Sequence, residues 1–270
     1  NEVDRAMAEM GGDKDAKVKT SWNVEWKMEW YRRELRKAGA EVWFGGIGCG
    51  VLTDGDTVRG VVVATPEGRA AIRAHTVIDA TGNADIAALA GAKCITTGPD
   101  SPSVQGTGMP ARRPGAHYTN TDYTFTQDSD MLDVWRTLIG GRVKYKDVFD
   151  AGVIVDSRER RHIIGEFSVS PLDIWNQRTY PDSIAVAASN FDSHGFTVHT
   201  LFALQQPDKK EVKTFVPYRC LLPKGVRGIL VAGIAISSHR DAQPILRMQP
   251  DVQNVGYAAG VAAAMAAANQ

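Results

Sequence analysis

The sequence predicts an α/β chain with a β-meander and an inserted antiparallel β-rich domain. Helix and strand patterns alternate near both ends, whereas residues 99–213 are rich in strand patterns and lack that alternation. Residues 101–115 are rich in Pro, Gly and Ser, which is typical of a linker or a long loop. We therefore predict one domain from residues 1–98 and 214–270, interrupted by a second domain at residues 99–213.

The meander is predicted from residues 48–79, where apolar runs alternate with two turn signals. Asp-Gly-Asp at residues 54–56 and Pro-Glu-Gly at residues 66–68 separate three short strands. A further buried strand over residues 76–80 ends at Thr81 and Gly82. Asn83 is then expected to cap a helix that ends at Gly91.

Composition excludes several classes of partner. The 31 Lys and Arg residues balance 31 Asp and Glu residues, so a basic nucleic-acid or anionic-membrane surface is not expected. No run reaches the roughly 18 apolar residues of a membrane span. The three cysteines lie far apart and are expected to be mostly buried, and no group of residues has metal-ligand spacing.

The Thr81–Gly82 turn is the first candidate ligand site. A buried strand, an exposed Thr-Gly pair and a capped helix bring backbone N–H groups to where a ligand could approach. An ordinary tight strand–helix turn explains the same pattern. Both interpretations remain open from the residues alone.

The second candidate is the C-terminal strand, loop and helix. A strand over residues 228–232 leads through Gly233 into a polar loop, and Pro250 suits the first position of the last helix. The free N–H groups and positive dipole end of that helix could hold an anion or an electron-rich carbonyl. A plain core helix is the alternative, but it leaves the polar loop unexplained. The loop contains Ser237, Ser238, His239, Arg240, Asp241, Gln243 and Arg247.

Small residues follow one face of the predicted last helix. Gly256, Ala259, Gly260 and Ala263 are spaced i, i+3, i+4 and i+7. Because none of them carries a large side chain, we expect this face to press closely against a sheet.

Two segments resemble FAD-dependent oxidoreductases of the glutathione-reductase-like superfamily, namely TVIDATGNADIAALAGA and FVPYRCLLPKGVRGILVAGIAISSHRDAQPILRMQPDVQNVGYAAGVAAAMA. The segment DSRERRHIIGEF is similar to a middle-domain strand of that family, with Arg158 and Arg161 on opposite faces. The resemblance implies FAD as cofactor and a Rossmann-like FAD-binding domain. It also implies a set of cofactor-binding residues, namely Thr81, Gly82, Gly233, Arg247, Pro250, Gly256, Ala259 and Gly260.

The sequence departs from this family at its nucleotide fingerprint. The family opens with a strand, a GxGxxG turn and a helix, and we find no such unit here. The glycines of GGIGCG at residues 45–50 lead into the meander rather than into a helix. Together with a first residue that is not Met, this favours an incomplete Rossmann-like domain whose first βαβ unit is lost or supplied elsewhere.

Four residues are candidates for catalysis under this resemblance. His239 follows the flavin-domain strand, and His194 and His199 lie in the middle domain, where a histidine could act as general base. Each histidine could equally be a structural residue. Arg161 could clamp a substrate carboxylate or stabilise reduced flavin, and the alternative is an ion-paired strand edge.

Three functions follow from these patterns. The first is an oxidoreductase that transfers hydride from a small organic substrate to FAD. The second is a truncated, non-catalytic fragment that binds a ligand or a partner. The third is a heteromeric enzyme in which another chain supplies the missing unit, and a homo-oligomer is also possible.

Overall fold

The computed structural model describes residues 24–97, 125–127, 129–144, 160–193, 196–205 and 211–269. These described residues fall into two compact units, one of residues 24–47 with 65–68 and the other of residues 48–64 with those described from 69 onward. The predicted linker at residues 101–115, Arg158 and His194 lie outside the described residues.

The described residues form a mixed α/β structure, as the sequence predicts. The helices are α1 (Val24–Lys37), α2 (Asp85–Leu89), α3 (Met131–Lys144), α4 (Pro171–Trp175), α5 (Leu201–Leu204), α6 (Gln243–Leu246) and α7 (Gln249–Ala268). The strands are β1 (Ile47–Asp54), β2 (Thr57–Thr65), β3 (Gly68–Arg73), β4 (Val77–Asp79), β5 (Cys94–Thr96), β6 (Arg161–Ile163), β7 (Ser183–Ser189), β8 (Val212–Pro217) and β9 (Ile229–Val231). None of these helices combines the length and apolar character needed to cross a membrane.

In the first unit, helix α1 carries a solvent face of local ion pairs. Glu29 accepts hydrogen bonds from Arg32 and Arg33, and these two guanidinium groups lower the pKa of Glu29 to about 2. Trp30 of the same helix is buried. Charged pairs three and four residues apart support an isolated helix, whereas Trp30 supplies its apolar anchor.

The predicted meander is confirmed. Strands β1, β2 and β3 form one sheet in sequence order, and two-residue turns join them. Strand β1 begins at Ile47, so the GGIGCG glycines enter a sheet and not a nucleotide-binding helix. The structure therefore supports the interpretation that these glycines are not a dinucleotide fingerprint.

Strands β4 and β9 form a parallel pair across about 150 residues of sequence. Val77 pairs with Ile229 and Asp79 pairs with Val231, while the N–H of Ala232 donates to the Asp79 carbonyl at 2.9 Å. Parallel strands end at the same edge of their sheet. The turn after β4 and the turn after β9 are consequently neighbours.

The meander joins this parallel pair through Gly228. Thr57 and Arg227 form a parallel bridge, and the Val58 N–H donates to the Arg227 carbonyl at 2.8 Å. Gly228 has φ of +72°, and a Cβ atom added there would overlap the carbonyl oxygen of Val58. Only glycine satisfies both the left-handed backbone and this close approach.

One of two apolar cores surrounds strands β7 and β8 and the C-terminal helices, and we call it the second core; the first surrounds the meander, β4 and β9. The buried members of the second core come from both sides of the domain boundary that we predicted at residues 213 and 214. Strand β8 itself crosses that boundary. The division into domains stays a prediction, but the second core is continuous across it. Its largest fully buried members include Phe202, Ile174, Leu221, Ile236, Ile245, Val169 and Val216.

The expected close packing of the Gly/Ala face of α7 is wrong for its two glycines. Gly256 and Gly260 are exposed, and apart from adjacent residues and the backbone of the helix itself, nothing described would lie within 4 Å of a Cβ added to either. The buried positions are Val255 and Ala259, with Ala263 partly buried behind them. This face of i, i+4 and i+8 residues keeps Ala259 and Ala263 of the predicted stripe, and its centre is rotated by roughly half a residue.

The prediction for cysteines is only partly correct. Cys220 is buried and Cys94 is half-buried, but Cys49 is exposed on β1. Burial raises the pKa of the Cys220 thiol to about 12, so this thiol stays protonated.

Replacing Gly228 by alanine should destabilise the fold more than replacing Gly225. Both glycines have left-handed backbone, so both variants incur a strain of about 1–2 kcal/mol. Only the Gly228→Ala methyl also overlaps a backbone carbonyl, which adds about 1–3 kcal/mol. Urea unfolding of both variants measures the difference. Equal losses of stability would contradict the close approach at Gly228.

Candidate functional site

The carboxyl edge of β4 and β9 brings together three predicted cofactor-binding residues. Thr81 and Gly82 follow β4, and Gly233 begins the 3₁₀ turn after β9. Gly82 has φ of +75° and Gly233 has φ of +83°. An added Cβ at either glycine would make only ordinary contacts, with Ile234 and Val252 respectively. The backbone conformation, rather than crowding, requires glycine at both turns.

Asp79 holds the first of these turns in place. Its side chain accepts from the Thr81 N–H at 3.0 Å, the Thr81 hydroxyl at 2.7 Å and the Ala87 N–H at 2.9 Å. The residue is only 1% exposed. A buried carboxylate with three donors is fully compensated, so it fixes the turn and the start of α2 together.

Asn83 does not cap α2, contrary to prediction. The cap residue is Ala84, which has left-handed backbone with φ of +51° and no side-chain capping bond. The Thr81 hydroxyl instead accepts from the Asp85 N–H at 3.0 Å. Thr81 thus serves two roles, since it also donates to Asp79.

Arg161 lies beside this turn. Its N–H donates to the Asn83 side-chain oxygen at 2.9 Å, and its guanidinium donates to Asp85 at 3.0 Å. The side chain is therefore ion-paired at the start of α2 and makes no recorded contact with the described histidine candidates. The structure groups Arg161 with Thr81 and Gly82, which the sequence assigned to cofactor binding.

The polar loop after β9 is buried, which the sequence did not indicate. Ser237, Ser238, Arg240, Asp241 and Gln243 are all largely inaccessible. The Ser237 hydroxyl accepts from the Gly165 N–H at 3.0 Å, and Gln243 donates to Ser238. The loop is thus held by its own side chains and by the strand-rich middle segment.

Asp241 is the centre of this loop. One carboxylate oxygen accepts from the N–H groups of Val198 and His199 at 2.8 and 2.7 Å. The other oxygen accepts from the Arg240 guanidinium at 3.0 Å. Asp241 is 1% exposed, so these charge-assisted bonds are shielded from water. They tie the segment that carries His199 to the segment that carries His239.

His199 and His239 face each other as a result. Their ring centroids are 5.1 Å apart and the rings are perpendicular. Both residues are half-buried. Burial lowers the pKa of His239, as do His199 and Arg240, whereas Asp241 raises it. The structure therefore brings together two of the three histidines that the sequence proposed.

Arg247 and Pro250 lie at the start of α7. The Arg247 guanidinium donates to the carboxylate and the carbonyl of Asp192 at 2.6 and 3.0 Å. Gln249 is the first residue of α7, so Pro250 occupies the second position rather than the first. Asp251 follows in the first turn, and burial raises the pKa of its carboxyl. This helix start already contains an acidic side chain near its free N–H groups.

A cavity of about 490 Å³ lies at the opposite, amino end of β4 and β9. Thr76 and Gly228, which immediately precede the two strands, line it together with Tyr218 and Leu222. None of the predicted site residues lines this cavity. The candidate site is therefore the carboxyl edge, where open parallel sheets bind ligands.

The sequence did not identify Asp79 and Asp241 as the residues whose carboxylates hold the two halves of the site. Asp79 is the last residue of an apolar strand, where an acidic side chain is costly unless it is hydrogen-bonded. An acidic residue at the end of an apolar strand was therefore the signal that could have identified Asp79. Asp241 gave no comparable signal, because its partners Val198 and His199 lie about 40 residues away.

Replacing Asp79 by asparagine should destabilise the protein by about 1–3 kcal/mol, because an amide nitrogen cannot accept the buried donors. Asp56→Asn provides the matched control. Asp56 forms an exposed ion pair with Arg227, and because water and salt screen this pair it contributes little to stability. Thermal unfolding of both variants measures the contrast. A smaller loss for Asp79→Asn than for Asp56→Asn would refute the role given to Asp79.

Among the described residues, no group of three or more His, Cys, Asp or Glu side chains is arranged to hold a metal ion.

Comparison with known proteins identifies the family. No curated protein and no solved structure matches the sequence. A family model described as FAD dependent oxidoreductase matches residues 2–146 and 126–270. The chain therefore belongs to the FAD-dependent oxidoreductase family.

Proposed function

We propose that this protein is an oxidoreductase that transfers hydride from a small organic substrate to FAD. The observation that carries the proposal is the parallel pairing of β4 with β9. This pairing places the turns that contain Gly82 and Gly233 at one sheet edge. Both turns come from segments whose sequences resemble the family.

The residues at this edge fit one side of FAD. Two left-handed glycines at neighbouring strand ends let a ligand approach the backbone without meeting side chains. The Thr81 hydroxyl and N–H already bond to Asp79, so this turn has a fixed shape before a ligand arrives. No GxGxxG segment is present in the sequence for the pyrophosphate. These residues therefore suit only the part of FAD that would contact the two turns, and not its pyrophosphate.

In this proposal the protein binds and orients, while FAD supplies the electron-accepting ring. Thr81, Gly82 and Gly233 would hold the cofactor. Arg161 would act at the cofactor side, because it lies beside the Thr81 turn. His239, in the loop that follows Gly233, would contact the substrate together with His199 of the middle segment, whose ring faces it.

An alternative proposal is a non-catalytic fragment of such a flavoprotein, or a chain completed by another polypeptide. Two observations favour it. The sequence has no GxGxxG segment. The exposed Gly256 and Gly260 also leave one face of α7 without a neighbour among the described residues. A small-residue face suits close packing by a further element.

A flavin titration of Gly233→Ala tests the proposal. Gly225→Ala is the matched control, since both glycines have left-handed backbone and neither substitution clashes seriously. We expect the unchanged protein to show bound-flavin absorbance when FAD is added. Gly233→Ala should weaken FAD binding by about tenfold, or about 1.4 kcal/mol, and Gly225→Ala should not.

Two other outcomes would contradict parts of the proposal. Equal FAD affinity in both variants would place the cofactor away from the carboxyl edge. No FAD binding by the unchanged chain would contradict the enzyme proposal and favour the fragment. In that case FAD binding that appears only with an added partner chain would support the heteromeric form.

A further inference from the structure

We infer that His199 and His239 act as a pair of neutral hydrogen-bond donors for a carbonyl or carboxylate oxygen of a ligand, and not as general bases. The identification of that ligand as the redox substrate rests on the proposed function. The donor character itself rests only on the hydrogen bonds of the two imidazoles.

The Nδ1 atom of each ring is already used as an acceptor. The Leu201 N–H donates to Nδ1 of His199 at 3.2 Å. The Asp241 N–H donates to Nδ1 of His239 at 3.1 Å. A backbone N–H has no alternative protonation state, so each Nδ1 must provide a lone pair.

This requirement fixes where the single proton of each neutral ring lies. A neutral imidazole has one N–H and one lone pair, and the hydrogen bond at one nitrogen sets the other. With the lone pair of Nδ1 engaged, the proton lies on Nε2. A nitrogen that carries a proton cannot accept one, so Nε2 is a donor in both rings. Protonation of either ring would have to break its backbone hydrogen bond.

The surroundings favour the neutral form of His239. The groups that act on it are Asp241, His199 and Arg240. Arg240 and Asp241 bond to each other, so their charges largely cancel close to the ring. Burial then lowers the pKa of His239 below its ordinary value. The ring is therefore uncharged at neutral pH and does not require an anionic ligand.

The two donors are held in a fixed relation. Asp241 anchors the backbone at His199 through one carboxylate oxygen, and its own N–H bonds to His239. The perpendicular rings, 5.1 Å apart, place two N–H donors in one half-buried region. Among the described residues, no group forms a hydrogen bond with the Nε2 atom of either ring. Preorganised donors of this kind stabilise an oxygen that bears or develops negative charge.

Nitrogen-15 NMR of histidine-labelled full-length protein tests the proton positions directly and without FAD. We expect the single proton of each neutral ring to lie on Nε2, and His239 to be neutral at pH 7. His199→Gln and His239→Gln assign the signals, and the exposed His75 serves as the internal reference. A proton on Nδ1 of either neutral ring, or a doubly protonated His239 at pH 7, would overturn the inference.

Acetate and acetamide titrations then test the ligand class. We expect a probe to shift the Nε2 signals of both rings while leaving His75 unchanged. Acetate alone would indicate a carboxylate ligand, and a shift with acetamide would indicate a carbonyl ligand. His239→Ala should weaken probe binding by about tenfold, whereas His239→Gln, which keeps an N–H donor, should weaken it less.

Failure of the two proposals can be told apart. If neither probe shifts either ring, the donor-pair inference fails, even where the protein binds FAD. If the probes shift both rings but FAD does not bind, the inference stands as a ligand site and the proposed redox function fails.

Discussion

The candidate site depends on the carboxylate of Asp79. Asp79 ends the three-residue strand β4, and its side chain accepts hydrogen bonds from Thr81 and Ala87. Without those bonds a buried charge would cost several kcal/mol. The turn and the first residues of α2 are therefore stable only in the arrangement that satisfies Asp79. The parallel partner β9 is then aligned to the same edge through the Ala232 N–H.

Asp241 has the same role in the other half of the site. It is buried, and its bonds to the Val198 and His199 backbone connect segments about 40 residues apart in sequence. A further bond joins it to the guanidinium of its neighbour Arg240. Buried polar networks of this kind are stable only when every member is satisfied. Both halves of the proposed site are thus organised by a carboxylate that the ligand would not contact.

The sequence predicted those features that depend on local pattern. Alternating apolar residues and turn signals identified the meander, and small residues identified the turns at Gly82 and Gly233. It could not predict Ala84 as the cap of α2, because Thr81 supplies the bond expected from Asn83. It also misplaced the buried face of α7, since Gly256 and Gly260 fit a close-packed face as well as an exposed one. Burial of the polar loop depended on partners distant in sequence, and no local pattern reveals those.

Hydrogen exchange measured with and without FAD would locate cofactor binding on the backbone. We expect slower exchange at the turns that contain Gly82 and Gly233 when FAD is bound. At the opposite end of the strands, where Thr76 and Gly225 line the cavity, we expect no change. Protection confined to that cavity, with the two turns unchanged, would contradict a cofactor site at the carboxyl edge.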